Sequence, residues 1–488
     1  MQPATNSINN DTTEAAAIIA ANDNVVSRQG VPQSNPGTSV TEDSVAFIFA
    51  NAYRDTLRYC HSTGAWFEYV GSHWQRNEVG LAAHHVRVMA RDLSNGLSAK
   101  ALASIRKRSF ASGVEKFAQN DPAFAVTHAS WDQDTFLLGT PDGTVDLRTG
   151  ILRRADPADG ITKLTSVAPS TNADCPLWLR FLEESTGGDV GMIRFLQQST
   201  GYCLTGDTRE HALIFVHGDG GNGKSVFLNT VSYIFHDYAT TASMDTFVAS
   251  KNDRHPTDLA MLRGARLVTA SETEEGRAWA ESRIKQMTGG DPITARFMRQ
   301  DFFTFQPQFK LIIVGNHQPA LHNVDAATRR RFNIVPFTRK PANPDRELES
   351  KLRAEAPAIL RWMIEGCLDW QQCGLVRPAS IVEATETYFA EQDVLGQWLT
   401  DCCEVEQENR AKTEFAADLF ESWSAYAESS GERAGSSKAF GQNLLKRGFA
   451  KTRTRSGQMY FGIRLKAVER RNVMRERSRE EFVTTKAQ

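Results

Sequence analysis

The run Gly218-Asp219-Gly220-Gly221-Asn222-Gly223-Lys224-Ser225 has the spacing GxxxxGK[ST]. Glycines so placed let backbone N–H groups curl round a polyphosphate. A lysine followed by a hydroxyl supplies a cation for the β- and γ-phosphates and a ligand for Mg²⁺. An apolar run, Ala212 to Val216, precedes the loop, and Val226, Phe227, Val231, Ile234 and Phe235 follow it at helical spacing. A strand feeding a helix N-terminus suits this chemistry, because the helix end carries positive potential. Gly218, Gly220, Gly221, Asn222, Gly223, Lys224 and Ser225 are therefore the candidate nucleotide-binding residues. Kinases, GTPases and ligases use such loops too, so other residues must discriminate between them.

Three further segments follow in order. Arg266 to Glu272 reads as an apolar strand ending in a carboxylate, 48 residues after Lys224. Glu272 could face Mg²⁺ or an attacking water, with Glu274 and Glu275 as helpers; Ser271 stands where many ATPases have an acid. Lys310 to Asn316 is another apolar strand, ending in an amide that could sense the γ-phosphate. Arg329, Arg330 and Arg331 then precede the strand Asn333 to Phe337. Their place suits an arginine finger reaching a neighbouring copy's nucleotide, with Arg330 and Arg331 the leading candidates. The candidate catalytic set is Lys224, Glu272, Asn316, Arg330 and Arg331, and the candidate metal ligands are Ser225 and Glu272.

These elements must be positioned by a parallel sheet. Leu213 to Val216, Leu267 to Ala270, Leu311 to Val314 and Asn333 to Val335 are short continuous apolar runs separated by helical stretches, the pattern of an α/β sheet buried on both faces. Helical spacing also marks Val45 to Tyr59, Trp178 to Gln198 and Glu347 to Gln371. Hairpins are expected around Gly71-Ser72 and around Pro141-Asp142-Gly143.

The order GDGGNGKS, RLVTASETEEG, Lys285-Gln286-Met287-Thr288-Gly289-Gly290-Asp291, FKLIIVGNHQP, RRRFNIVPF resembles the helicase superfamily 3 motor. More closely, it resembles the phage/plasmid primase-helicase family, which includes phage-satellite and poxvirus replication proteins. KxxTGGD is the most diagnostic segment, and the resemblance is specific from about Gly201 to Phe337. It implies an AAA+-like P-loop NTPase motor of fold class α/β, with an N-terminal α+β accessory domain and a C-terminal winged-helix domain. It implies ATP and Mg²⁺ as cofactors, and single-stranded and forked DNA as partners. It also implies a homo-oligomeric ring, expected to be a hexamer, and a separate primase or replication protein as a further partner. On this resemblance Lys285 and Asp291 are structural or coupling residues. Arg296, Arg299 and Lys310 become candidate DNA-contacting or coupling groups beside a pore hairpin, Arg296 and Arg299 being equally compatible with an ordinary surface strand. The expected departure is the primase module: Asp132-Gln133-Asp134 has the DxD form, but no catalytic histidine context follows it.

The C-terminal segment reads as helix (Phe415 to Ala427), helix (Ser436-Ser437 to Arg447, ended by Gly448), then strand, turn and strand from Phe449 to Leu465. From Arg433 to Arg479, ten arginines and four lysines face two acids, a net charge of +12. Lys446, Arg447, Lys451, Arg453 and Arg455 are the candidate DNA-binding residues there. The whole chain of 488 residues carries only −2, so its near-neutrality hides an acidic body with one basic end.

The seven cysteines form no CxxC pair, which disfavours a zinc ribbon or a disulfide framework. No apolar run of 18 residues is present, so no membrane partner and a cytoplasmic location are expected. The expected organisation is a disordered tail (1–42), an accessory domain (43–170), a helical collar (171–205), the motor (206–375), a helical linker (376–410), the winged helix (411–468) and a basic tail (469–488). The expected function is ATP-dependent, ring-forming DNA unwinding during replication of a phage, prophage, plasmid or satellite. Two alternatives stand: a DNA-binding ATPase switch in regulation or defence, and a primase-helicase with a divergent primase.

Overall fold

A computed structural model describes residues 40–249, 257–272, 276–321, 325–341, 343–455 and 457–473. Most of both expected tails lies outside these residues. The chain divides into two compact units, residues 1–70 with 74–131, and residues 71–73 with 132–488.

The first unit runs α1 (Glu42–Tyr53), β1 (Leu57–Cys60), β2 (Ala65–Tyr69), β3 (Trp74–Arg76), α2 (Leu81–Asp92), α3 (Ala99–Ile105), α4 (Arg108–Gln119), β4 (Ala125–Val126). Thr41 starts α1 by accepting a 3.1 Å bond from the Ser44 N–H, a capping box. Val45, Ala46, Phe49 and Ala50 form its buried face. The helical spacing expected to reach Tyr59 stops at Tyr53. Leu57–Cys60 instead pairs antiparallel with β2 and parallel with β4. Four apolar-rich residues fit either period, and strand partners decided. Phe49, Trp66 and Phe124 pack edge-on or tilted in the core between helices and sheet.

The second unit begins with an antiparallel sheet of β5 (Leu137–Thr140), β6 (Gly143–Asp146) and β7 (Ile151–Arg153), then α5 (Pro176–Thr186) and α6 (Val190–Leu204). An alternating segment follows: β8 (Leu213–His217), α7 (Lys224–Phe235), β9 (Ala239–Thr241), α8 (Thr257–Ala260), β10 (Leu267–Glu272), α9 (Glu281–Gly289), β11 (Ile293–Ala295), β12 (Phe303–Phe305), β13 (Lys310–Gly315), α10 (Ala326–Arg329), β14 (Phe332–Pro336). The helices α11 (Leu348–Ala354), α12 (Ala356–Cys373) and α13 (Ala379–Gln392) come next. Five strands make one parallel sheet in the order β14-β8-β13-β10-β9.

Strand alternation sends Ile214, Val216, Ile312, Val314 and Val335 into one core with α5, α6, α7 and α12. It sends Leu213, Phe215, Leu311, Ile313 and Ile334 into the other, against α9, the β11–β12 hairpin and α13. The helices α6 and α12 touch backbone to backbone: a Cβ on Gly201 would stand 2.2 Å from the Cys367 nitrogen, and one on Gly366 would stand 2.2 Å from the Gln197 carbonyl.

Two expected boundaries change. The β5–β7 sheet, placed by the sequence in an accessory domain ending at 170, belongs to the second unit. Leu138, Val145 and Leu147 share a core with α6 and α12, and the Gly139 N–H bonds Tyr238 Oη at 2.9 Å. The expected helical linker at 376–410 is helical, but it is not a separate segment: α13 packs on β14, and α14 (Val394–Cys402) enters a C-terminal core through Leu395 and Trp398. That core holds β15 (Cys403–Val405), β16 (Thr413–Phe415), α15 (Ala416–Ser429), α16 (Ser437–Lys446), β17 (Lys451–Thr454), β18 (Gly457–Phe461) and β19 (Ile463–Leu465). The second strand expected to run to Leu465 breaks at Gly462, φ +72°, where a Cβ would meet Gln407 Cα at 2.6 Å. Beyond the break β19 pairs with β15.

Lys310, expected near DNA, is buried at the amino edge of the sheet. Its ammonium donates to the Thr205 and Gln308 carbonyls and sits 4.8 Å from the Tyr202 ring centroid. Arg266, before β10, donates to the Leu204 and Leu137 carbonyls at 2.6 and 2.8 Å and lies over Tyr238. The two cations satisfy carbonyls left open at the end of α6. Burial pushes Lys310 down from an ordinary value of 10.5 to about 7. The unfolded chain therefore binds the extra proton between those values, and this group's share of stability rises as pH rises above 7. Buried Cys203 and Cys367, pushed up to about 12 from 9.0, act with the opposite sign only above about pH 9. In urea unfolding between pH 7 and 8.5, the stability of the unaltered chain should climb more steeply than that of Lys310→Met. The difference should be at most about 1.4 kcal/mol per pH unit; parallel curves would refute the buried-cation account.

Candidate functional site

The register aligns the carboxyl ends of four adjacent strands. Pro336 faces His217, His217 faces Gly315, and Gly315 faces Glu272. Neighbouring strands lie about 4.8 Å apart. The loop leaving β8, the acid ending β10 and the amide following β13 therefore share one edge of the sheet.

The loop is shaped by two glycines. Gly218 has φ +156°, and a Cβ there would stand 1.8 Å from the Phe337 carbonyl. Gly223 has φ +88°, and a Cβ there would strike the Phe181 ring at 2.7 Å. Lys224 opens α7 and is buried. Its ammonium donates to the Gly218 carbonyl at 2.6 Å, the Asp219 carbonyl at 2.8 Å and Asn222 Oδ1 at 2.9 Å. Asn222 is braced in turn by its side-chain N–H, which donates to the Phe337 carbonyl. Burial lowers the Lys224 pKa, Asp219 opposes that, and Lys340 adds to it. No side chain caps α7, and Ser225, Gly220 and Gly221 are exposed. This open, glycine-rich turn at a helix N-terminus, with one inward cation, can hold a polyanion.

Glu272 is the last residue of β10; its side chain, with Glu274 and Glu275, lies outside the described residues. Asn316 is exposed at the rim of a cleft of about 500 Å³ with His217, His317, Gln318, Thr387, Tyr388 and Glu391. The cleft lies on the α13 face of the sheet, beside the loop rather than on it. His217 is a residue that the motif reading overlooked: it ends the strand just before the first loop glycine. Burial lowers its pKa, and a hydrogen bond to the Asn316 backbone opposes the shift.

The three arginines are held differently. Arg329 pairs with Glu386 and lies 4.9 Å from the Phe389 ring centroid. Arg331, expected to reach a neighbour, is only 7% exposed. Its Nε donates to Thr288 Oγ1 at 3.2 Å and its Nη1 to the Ala327 carbonyl at 2.7 Å. A guanidinium anchored within its own chain cannot also cross an interface, so Arg331 is corrected to an internal brace. Arg330 is exposed, and its carbonyl accepts from Arg377 Nη2.

Arg296 and Arg299 lie at the tip of the β11–β12 hairpin. Arg296 sits 4.7 Å from the Phe302 ring centroid, and Arg299 has φ +61°. Phe297, Met298 and Phe302 are exposed beside them. In the C-terminal part, Lys451, Arg453 and Arg455 are exposed and alternate along one side of β17 and its end, and Lys446 is exposed at the end of α16. Arg447 differs from expectation: its guanidinium is half-buried and paired with Asp393, which neutralises it. Asp132 accepts from the Thr162 N–H at 2.9 Å and from its hydroxyl, while Asp134 takes both Arg148 donors at 2.8 and 3.0 Å. Both acids of the DxD are thus spent on local structure.

All seven cysteines are free. No helix among the described residues is long and apolar enough to cross a membrane.

The two neighbouring arginines should separate in a stability measurement. Arg331→Ala should cost about 2 kcal/mol by urea or thermal unfolding, and Arg330→Ala less than about 0.5 kcal/mol. Equal costs would contradict the contrast in burial.

Comparison with known proteins matches residues 46–187 to the family described as D5 N terminal like, and residues 216–331 to one described only as a family of unknown function, DUF5906. The chain is 25% identical over 353 residues to "Putative helicase L207/L206" of Acanthamoeba polyphaga mimivirus, covering 66% of this chain and 36% of that protein. It is 25% identical over 261 residues to "Putative helicase 022R" of Frog virus 3, covering 49% and 27%. The chain thus spans about a third of the length of the curated relatives it matches. Among solved structures it is similar to the apo NrS-1 C-terminal region (305-718), at 9% identity and a TM-score of 0.49 over 88% of this chain and 100% of that one. These matches, to a D5 N terminal like domain and to viral proteins named putative helicase or putative primase, support a phage or viral primase-helicase relationship for the chain.

Proposed function

We propose that the second unit is an AAA+-type superfamily 3 ATPase motor that assembles as a homo-oligomeric ring and separates DNA strands. The observation that carries this reading is the shared carboxyl edge: phosphate loop, Glu272 and Asn316 on three adjacent parallel strands, with exposed Arg330 just before the next strand. In an open parallel sheet this edge is where ligands bind.

The loop suits ATP. The glycine-rich turn and the start of α7 would hold the phosphates, and Lys224 would exchange its carbonyl partners for β- and γ-phosphate oxygens. Ser225, exposed at the second helical position, would hold Mg²⁺, which supplies charge neutralisation between the phosphates. Glu272 would orient the attacking water, and Asn316 would hydrogen-bond the γ-phosphate. Arg330 from a neighbouring copy would stabilise the charge that develops there. The hairpin cations Arg296 and Arg299 would face single-stranded DNA. The C-terminal helices and strands would act as a winged helix, with Lys446, Lys451, Arg453 and Arg455 on phosphates. The consumed Asp132 and Asp134 speak against primer synthesis by this chain.

The test is ATP hydrolysis and strand separation on a forked duplex with Mg²⁺. Lys224→Ala should lower hydrolysis by at least about 100-fold, a loss of roughly 3 kcal/mol of transition-state stabilisation. In the presence of nucleotide the 54.2 kDa chain should sediment as a ring, near 325 kDa for six copies. DNA-stimulated hydrolysis without unwinding would leave only the switch reading. No hydrolysis at all, or full hydrolysis by Lys224→Ala, would end both.

Replacing Lys451, Arg453 and Arg455 together by alanine should shrink the slope of log affinity against log salt on duplex DNA by about 2.7. An unchanged slope would take the wing out of the interface.

A further inference from the structure

The KxxTGGD segment has no role in the nucleotide edge described above, yet its side chains converge on one place. Lys285, midway along α9, donates to Asp325 Oδ2. Asp325 is the N-cap of α10, and its Oδ1 accepts from the Thr328 N–H at 2.7 Å. One carboxylate thus starts the arginine-bearing turn and ties it to α9. One helical turn later, Thr288 receives Arg331 Nε at 3.2 Å while donating to the Ile284 carbonyl at 2.7 Å. Gly290 ends α9 with φ +79°. A Cβ on Gly289 would stand 3.8 Å from Arg331 Nη2, and one on Gly290 would stand 3.1 Å from Thr208 Oγ1. The chain then enters β11, the first strand of the hairpin, at Ile293.

We infer that Lys285 is a positioning residue for Arg330, acting through Asp325, and that α9 mechanically joins the hairpin tip to the arginine turn that serves a neighbouring copy's ATP. The inference rests on the motor reading. Lys285 and Thr288 hold the arginine turn at two points, Asp325 and Arg331, one on each side of Arg330. The backbone of Arg330 is fixed from a third side by Arg377. Its side chain is exposed, so its position follows α9. A shift of the hairpin moves α9 through a three-residue connection, because Asp291 and Pro292 leave little slack before Ile293. The direction is reciprocal: engagement of Arg330 with a neighbour's phosphate biases the hairpin, and DNA on the hairpin biases Arg330. Lys285 on this account grips protein, and its ammonium is not a DNA contact.

The test uses the full chain with ATP, Mg²⁺ and single-stranded DNA. Lys285→Glu and Asp325→Lys should each lower kcat by about tenfold while nucleotide affinity, read with a fluorescent ATP analogue, stays within about threefold. The double exchange restores the ion pair but not the cap on Thr328, so its kcat should be partly recovered, clearly above the product of the two single losses. Lys285→Gln, which keeps a donor without the charge, should be intermediate and guards against a folding defect.

Because Arg330 acts on a neighbour, two impaired variants should complement. Lys224→Ala has a sound arginine turn, and Lys285→Glu has a sound phosphate loop. Mixed rings of equal parts should regain about a quarter of full activity, since one interface in four pairs the two sound halves. A mixture no more active than its separate components would show that Lys285 serves its own site or DNA, and would overturn the inference. So would a double exchange whose loss equals the product of the single losses. An unaltered chain that fails to hydrolyse ATP would instead remove the motor reading, and this inference with it.

Discussion

Parallel strand pairing is the constraint from which the rest follows. When all strands run the same way, every carboxyl end emerges on one edge and every amino end on the other. Each return must cross over a face, so both faces become covered and only the edges stay free. Here the connection leaving β8 runs to the edge strand β9, and the later connections, β9 to β10, β10 to β13 and β13 to β14, all run back the other way. The loop that leaves β8 starts at this change of direction. The loop, the acid and the amide need no direct bond to one another to be aligned. The ladder His217–Gly315–Glu272 aligns them.

The two faces then take different work. On one, α6 and α12 press together over glycines, and Trp178 stacks on Phe227 from the helix behind the phosphate loop, with ring centroids 5.8 Å apart. Such packing has little room for adjustment. On the other, α9, the hairpin and α13 meet the sheet through Trp279, Phe332, Tyr388 and Phe389. That face also carries the cleft beside Asn316 and the ion pairs Lys285–Asp325 and Arg329–Glu386. Partly exposed ion pairs are individually weak, so they can be exchanged more readily than the first face can be repacked.

What could be read in advance follows from this division. The phosphate loop and the four apolar strands were legible because each is a contiguous run whose own residue types mark it, even though the strands pair with partners about a hundred positions away. Lys310 and Arg331 were not. Each is a cation whose burial is decided by distant acceptors, the Thr205 carbonyl in one case and Thr288 in the other. Nothing adjacent to a basic residue announces a carbonyl a hundred positions away. Arg447 was misjudged for the same reason, its partner being Asp393. The boundary set at 170 failed because β5–β7 are short and polar-flanked, like any small accessory sheet. Their core partners, α6 and α12, lie far downstream. His217 was overlooked because one histidine at a strand end has no pattern at all.

The buried cations at the amino edge have a mechanical corollary. Arg266 and Lys310 rivet the starts of β10 and β13 to the last carbonyls of α6. Releasing Arg266 would strand a charge and a carbonyl together away from water, and releasing Lys310 would strand at least its amine and a carbonyl. That edge is therefore the anchored end of the sheet. Over a strand about 17 to 20 Å long, the span of five or six residues, any tilt about the anchored end would displace the carboxyl end, where Asn316 and the loop lie, further than any other part of the strand.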